Sequence, residues 1–136
     1  KVFRELLALA EELGKPVNVH SRDAEGEVIK ILKEHDLKAL IHCFNGTIDE
    51  AVEAVDSGMF IGVTTQVLYS DHVQEIVEEL DVSDIVLETD SPFLYQGGRN
   101  EPVNVLESAE KIAELKEISV EEIIEETTLN ARQIFR

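Results

Sequence analysis

KALIHCF, residues 38–44, is a short apolar run that reaches a histidine just before a turn at Asn45-Gly46. PVNVH, residues 16–20, has the same layout upstream, and MFIGVT (59–64) and DIVLET (84–89) extend the series downstream. Runs this short and this apolar read as strands covered by helices. Between them lie helical patterns. KVFRELLALAEELGKP places Val2, Phe3, Leu6, Leu7, Ala10 and Leu13 at helical spacing and closes at Gly14 and Pro16. Asp23 is placed to cap a helix to about His35, and Thr47 with Glu50 forms a capping box for one that Gly58 stops. Asp71 and Gln74 repeat that spacing before a helix to about Leu80. Beyond Gly97-Gly98, Pro102 opens a further helix, Ser119 with Glu122 caps another, and Thr128 is placed to cap a last one.

A helix followed by four strands separated by helices is an α/β pattern with a parallel sheet. No composition break divides residues 1–136, so the expectation is a single domain. Two architectures fit, a doubly wound open sheet or part of a (β/α)8 barrel. His20, His42, Thr64 with Thr65, and Asp90 all fall at the C-terminal ends of the strands, the face where barrel enzymes collect catalytic side chains. No glycine-rich phosphate loop follows any strand, which favours the barrel.

The composition, 43% apolar and 30% charged, suits a folded chain and not a disordered one. No apolar run approaches the ~18 residues of a membrane span, so no membrane partner is expected. The single cysteine, Cys43, rules out an internal disulfide and fits a cytoplasmic location. Twenty-nine acidic residues against 12 basic give a net charge of −17, much of it glutamate on helix faces. Such a field repels nucleic acid unless metal ions or a local basic patch offset it. The helical pattern runs from residue 1 with no initiator methionine and no capping residue, so the chain reads as the continuation of something longer.

His20, His42 and Asp90 form a possible cluster of the ligand types that zinc, manganese and similar ions prefer. The alternative is that both histidines are hydrogen-bonded inside the barrel and Asp90 caps a turn. His35 and His72 sit at helix ends and read as surface residues. Cys43 follows His42 directly, so on a continuing strand it points to the opposite face and packs. Glu88 shares a strand face with Asp90 and suits either a buried partner of a ligand or of a basic residue, or a simple hydrogen-bonded acid. Arg22 and Arg99 lie in strand-end loops, where arginine either makes forked bonds to phosphate or forms a structural ion pair.

VNVHSRDA, IHCFNG, VLETDSPFL, RNEP and the closing NARQIF, in this order, resemble the C-terminal half of a TatD-family metal-dependent deoxyribonuclease. The resemblance covers essentially the whole chain. It implies half of a (β/α)8 barrel of the amidohydrolase-like kind, with this chain supplying the fifth to eighth strands. It further implies a divalent metal centre, usually of two ions (Mg, Mn or Zn), hydrolysing phosphodiester bonds in DNA. On this pattern His20, His42 and Asp90 match metal ligands, and Asp90 also orients or deprotonates the attacking water. Arg22, Arg99 and Asn100 lie beside the site and are assigned to substrate binding or support. The family's H-x-H-x-D motif and a metal-bridging glutamate are not in this sequence. A half-barrel has two open strand edges, so association with a missing N-terminal half or with a second copy is expected. Hydrolysis of another ester or amide, or a non-catalytic half-barrel, are the competing expectations.

Overall fold

The computed structural model describes residues 1–136. Six helices and four strands alternate: α1 (Val2–Glu12), β1 (Val17–His20), α2 (Glu25–Leu32), β2 (Ala39–His42), α3 (Ile48–Asp56), β3 (Phe60–Val63), α4 (Asp71–Glu79), β4 (Ile85–Leu87), α5 (Val105–Lys116) and α6 (Val120–Phe135). Two of the expected caps are present in full. Thr47 Oγ1 accepts from Glu50 N at 3.2 Å while Glu50 Oε2 accepts from Thr47 N at 2.8 Å, and Ser119 with Glu122 repeats the arrangement on α6. Each satisfies two backbone donors that a helix start otherwise leaves orphaned.

Three expected starts are corrected. Helix α2 begins after Ala24 with no side-chain cap, because Asp23 has turned into the left-handed region at φ +59°. Ser70, not Asp71, caps α4 by accepting from Val73 N, and Gln74 reaches Val67 O instead. No separate helix starts at Thr128. Helix α6 runs unbroken through it, and the neighbouring Thr127 hydroxyl donates to Ile123 O within the same helix.

The four strands are parallel and stand in sequence order, β1-β2-β3-β4. A doubly wound sheet reverses direction at a switch point and carries helices on both faces. Here the order never reverses. Val19, Ala39, Ile41, Ile61, Val63 and Ile85 point to one face, where they pack with Leu7, Ile29, Ala51, Val77 and Ile112 of the first five helices. That is one wall of a (β/α)8 barrel.

The alternate residues point to the concave face. Leu40, Val86 and Ile134 make a second buried cluster there, with Phe60 and Ala131 packed on it. Leu40 pairs in register with Phe60, and Gly62 with Val86, so all the strand members share one side. The last turns of α6 therefore lie against the concave face at the beginning of the strands. Asn130 fixes them there, donating to Val82 O and Ile85 O at 2.8 Å each. The outer edges of β1 and β4 are unpaired. Apolar side chains are exposed beside both: Val2, Leu6, Leu9 and Leu13 along α1, and Val103, Leu106, Ile124 and Phe135 on the β4 side. No helix is long and apolar enough to cross a membrane.

Candidate metal centre

His20 and His42 face each other across β1 and β2 in direct register. Their rings meet edge to face, with centroids 4.4 Å apart and planes at 75°. The His42 ring lies between two carboxylates from the end of β4. Its Nδ1 is 2.7 Å from Glu88 Oε2, and its Nε2 is 3.4 Å from Asp90 Oδ1. The other Glu88 oxygen, Oε1, accepts from Cys43 N at 2.7 Å. His42 and Glu88 are nearly buried, with side chains 11% and 16% exposed, whereas His20 stands open to solvent.

An ionised carboxylate only accepts hydrogen bonds, so a neutral His42 ring donates from Nδ1 to Glu88. Its Nε2 lone pair then faces the Asp90 carboxylate with no donor between them. Two acceptors converging in this way need a proton or a metal ion between them. The donor types suit a borderline divalent ion, with His20 alongside as a third. The number does not suffice: no three His, Cys, Asp or Glu side chains close on one point at ligand spacing. A zinc ion takes about four ligands, so this chain alone offers an incomplete shell.

Arg22, Cys43, Asn45 and Gln66 line the cleft around the two histidines. Arg99 is exposed and does not line it. Asn100 is only 1% exposed, and its amide donates to Thr65 Oγ1, Thr89 O and Phe93 O. That network holds the loop after β4, so of substrate binding and support the hydrogen bonds favour support. His35 is half-buried, not a free surface residue, with Nδ1 3.0 Å from Glu11 Oε2. His72 is exposed and its Nε2 donates to Gly46 O at 2.9 Å.

Cys43 corrects the expectation from alternation. The strand ends at His42, and Cys43 adopts φ +49°, which turns its side chain into the cleft. Its Sγ lies 3.4 Å from Gln66 Oε1 and 3.9 Å from Thr64 Oγ1. Burial pushes the thiol pKa up, the Thr64 contact opposes this, and the Glu88 and Asp90 charges add to it. A neutral thiol in that setting is a poor nucleophile. Asn45 and Gln66 were not singled out in the sequence; Asn45 Nδ2 donates to Gln66 Oε1 at 3.0 Å across the cleft wall. The Asn45-Gly46 pair marks only a turn, and nothing local to Gln66 announces that β3 ends three residues earlier.

Left-handed backbone at non-glycine residues is costly and gathers where geometry is functionally constrained. Asp23, Cys43, Asp90 and Leu94 have φ of 59°, 49°, 57° and 62°, and all lie in loops that follow β1, β2 or β4. The strain and the polar side chains mark the same end of the sheet.

Residues 1–136 match the family described as TatD related DNase. A human protein named deoxyribonuclease TATDN3 is 45% identical over 132 residues, which cover 95% of this chain and 48% of its own length. A protein of Methanocaldococcus jannaschii named an uncharacterized metal-dependent hydrolase is 38% identical over 138 residues, covering 100% of this chain and 55% of its own. The crystal structure of the Escherichia coli TatD homolog YjjV superposes with a TM-score of 0.86 at 28% identity, over 95% of this chain and 53% of that one. The chain thus spans about half the length of the relatives it matches.

Proposed function

Since the chain belongs to the TatD related DNase family, we propose that it carries one half of a divalent-metal centre that hydrolyses phosphodiester bonds in DNA. The observation that carries this reading is the approach of His42 Nε2 to Asp90 Oδ1 at the strand-end face, 3.4 Å apart. His20, His42 and Asp90 hold the ion or ions, and the nitrogen donors favour zinc or manganese over magnesium. When bound, such an ion polarises a phosphoryl oxygen and acidifies water. Asp90, 30% exposed on the rim, orients the attacking water and takes its proton at a carboxylate oxygen. Arg22 opens into the cleft and supplies a forked donor pair for a phosphate, with Asn45 and Gln66 offering neutral hydrogen bonds beside it. Arg99 approaches a longer substrate from outside the cleft.

The net charge of −17 opposes DNA contact wherever no ion or arginine offsets it. Away from the ions and Arg22 the surface repels phosphate, so affinity is weak and sensitive to salt. The remaining ligands come from a complementary N-terminal half-barrel, which also pairs the free edges of β1 and β4 and covers the apolar flanks. A second copy of this chain is the other occupant, and it brings two His20-His42-Asp90 sets together. A cytoplasmic location is consistent with the single thiol.

The test is cleavage of DNA by this chain with Mg²⁺ or Mn²⁺, alone and mixed with the N-terminal half from a relative. Weak or absent activity alone, restored by the added half, supports the reading. A non-catalytic half-barrel is the competing reading, favoured by the shortfall of converging donors, and no activity in either mixture supports it. Ion binding that survives both His20→Ala and His42→Ala unchanged would rule out the ligand roles.

A further inference from the structure

Gly62 lies inside β3, where a glycine costs backbone entropy and packs no side chain. Its conformation does not explain it, since the glycines with positive φ are Gly14, Gly58 and Gly98. Space does. A Cβ at Gly62 would stand 2.3 Å from Glu88 Oε1, 3.0 Å from Glu88 Cδ and 3.0 Å from Ile41 O. The Glu88 carboxylate occupies the place where any other residue would put its side chain. From there Oε2 takes the His42 Nδ1–H at 2.7 Å and Oε1 takes the Cys43 N–H at 2.7 Å.

We infer that Gly62 is the seat of Glu88, and that Glu88 is a positioning residue that keeps Nδ1 of His42 protonated and Nε2 free for a cation. This deepens the proposed metal centre and rests on that reading of His42. The Cys43 bond belongs to the same device. The chain turns left-handed at Cys43, immediately after the histidine, and Glu88 ties that turn to the ring it positions. A carboxylate in this place fixes both the tautomer and the ring plane of a ligand histidine. Glu88 is the far end of a flexible side chain and can swing away from a new methyl group, whereas Ile41 O has to give by only a few tenths of an ångström. A methyl group at Gly62 is therefore expected to leave the fold and remove the bracket.

The experiment titrates Zn²⁺ alone into the parent chain, Gly62→Ala, Glu88→Ala and the double variant, with circular dichroism as a check on folding. Each single change should weaken Zn²⁺ binding by about 10- to 100-fold with an unchanged spectrum. The double variant should be no weaker than the worse single within about twofold, because both act through one bracket. Losses that multiply in the double variant, or a Gly62→Ala affinity within about twofold of the parent, overturn the inference. If Gly62→Ala does not fold, Gly62→Ala/Glu88→Ala should recover folding by removing the crowding carboxylate; failure of the double variant also overturns it. Imidazole ¹⁵N spectra of the metal-free chain separate this inference from the metal reading. Loss of the His42 Nδ1–H signal in both single variants supports the seat even where the parent binds no Zn²⁺, a result that removes the metal centre alone. Retention of that signal in Gly62→Ala removes the seat.

Discussion

The concave face of the sheet has two ends built from the same strands and the same alternation. At the floor stand Leu40, Phe60 and Val86; two residues further along each strand stand His42, Gly62 and Glu88. The floor is apolar and sealed by Ile134 and Ala131 from α6. The rim is polar, strained and open, with His20 exposed and Asp90 in a left-handed conformation. One step of the pleat separates packing from chemistry. Stability and site therefore draw on different residues, and each can be altered with small effect on the other.

The sharpest way to break that separation is at the floor. Ile134→Ala is expected to cost about 2–4 kcal/mol in urea unfolding, while Zn²⁺ affinity at the rim holds within about twofold. A loss below about 1 kcal/mol would mean that α6 does not seal the floor. Asn130→Ala comes next, at about 1–3 kcal/mol, because it strips a donor from two carbonyls at the start of β4. At the rim the sign should reverse. Asp90→Gly relieves a left-handed residue and should raise stability by about 0.5–1 kcal/mol while abolishing ion binding. A destabilised Asp90→Gly variant that still binds Zn²⁺ would erase the contrast between the two ends.

The smallest effect concerns an acid at the floor end. Burial first, then the neighbouring Asp81 and Asp56 carboxylates, hold the Asp84 carboxyl above its ordinary range. A raised carboxyl binds its proton more tightly in the folded chain. Its contribution is intact below the unfolded value of about 3.9 and is lost as pH rises through the folded one. Asp84→Asn should therefore raise the unfolding midpoint at about pH 7 and leave it unchanged at about pH 3, in paired urea titrations.

The strands, their order and the polar residues at their ends were legible because a buried parallel strand is a short apolar run and its loop begins where the polarity changes. The same logic failed at Cys43, since alternation holds only while the backbone stays extended and φ there is +49°. Helix starts were legible where a full capping box exists, at Thr47 and Ser119, and misplaced by one residue at Ser70, where a single hydroxyl caps without a reciprocal partner. The position of α6 was not legible at all. Its apolar stripe signals burial but not which side of the sheet receives it; that depends on Asn130 finding the carbonyls of Val82 and Ile85, remote in sequence. Glu88 could be read as a partner of some ligand, but only the fold shows that the ligand is His42 and that Gly62 makes room for it.

The one-directional strand order has a geometric consequence. Because β1 through β4 all run the same way, the free flank of β1 and the free flank of β4 are complementary, and neither is a parallel template for its own kind. Two copies that extend the parallel sheet must meet β4 to β1 twice over, about an axis that runs along the barrel. Both mouths then open at the same end, and the two rims share one entrance. Packing about an axis across the barrel would instead pair β1 with β1 antiparallel and place the rims at opposite ends.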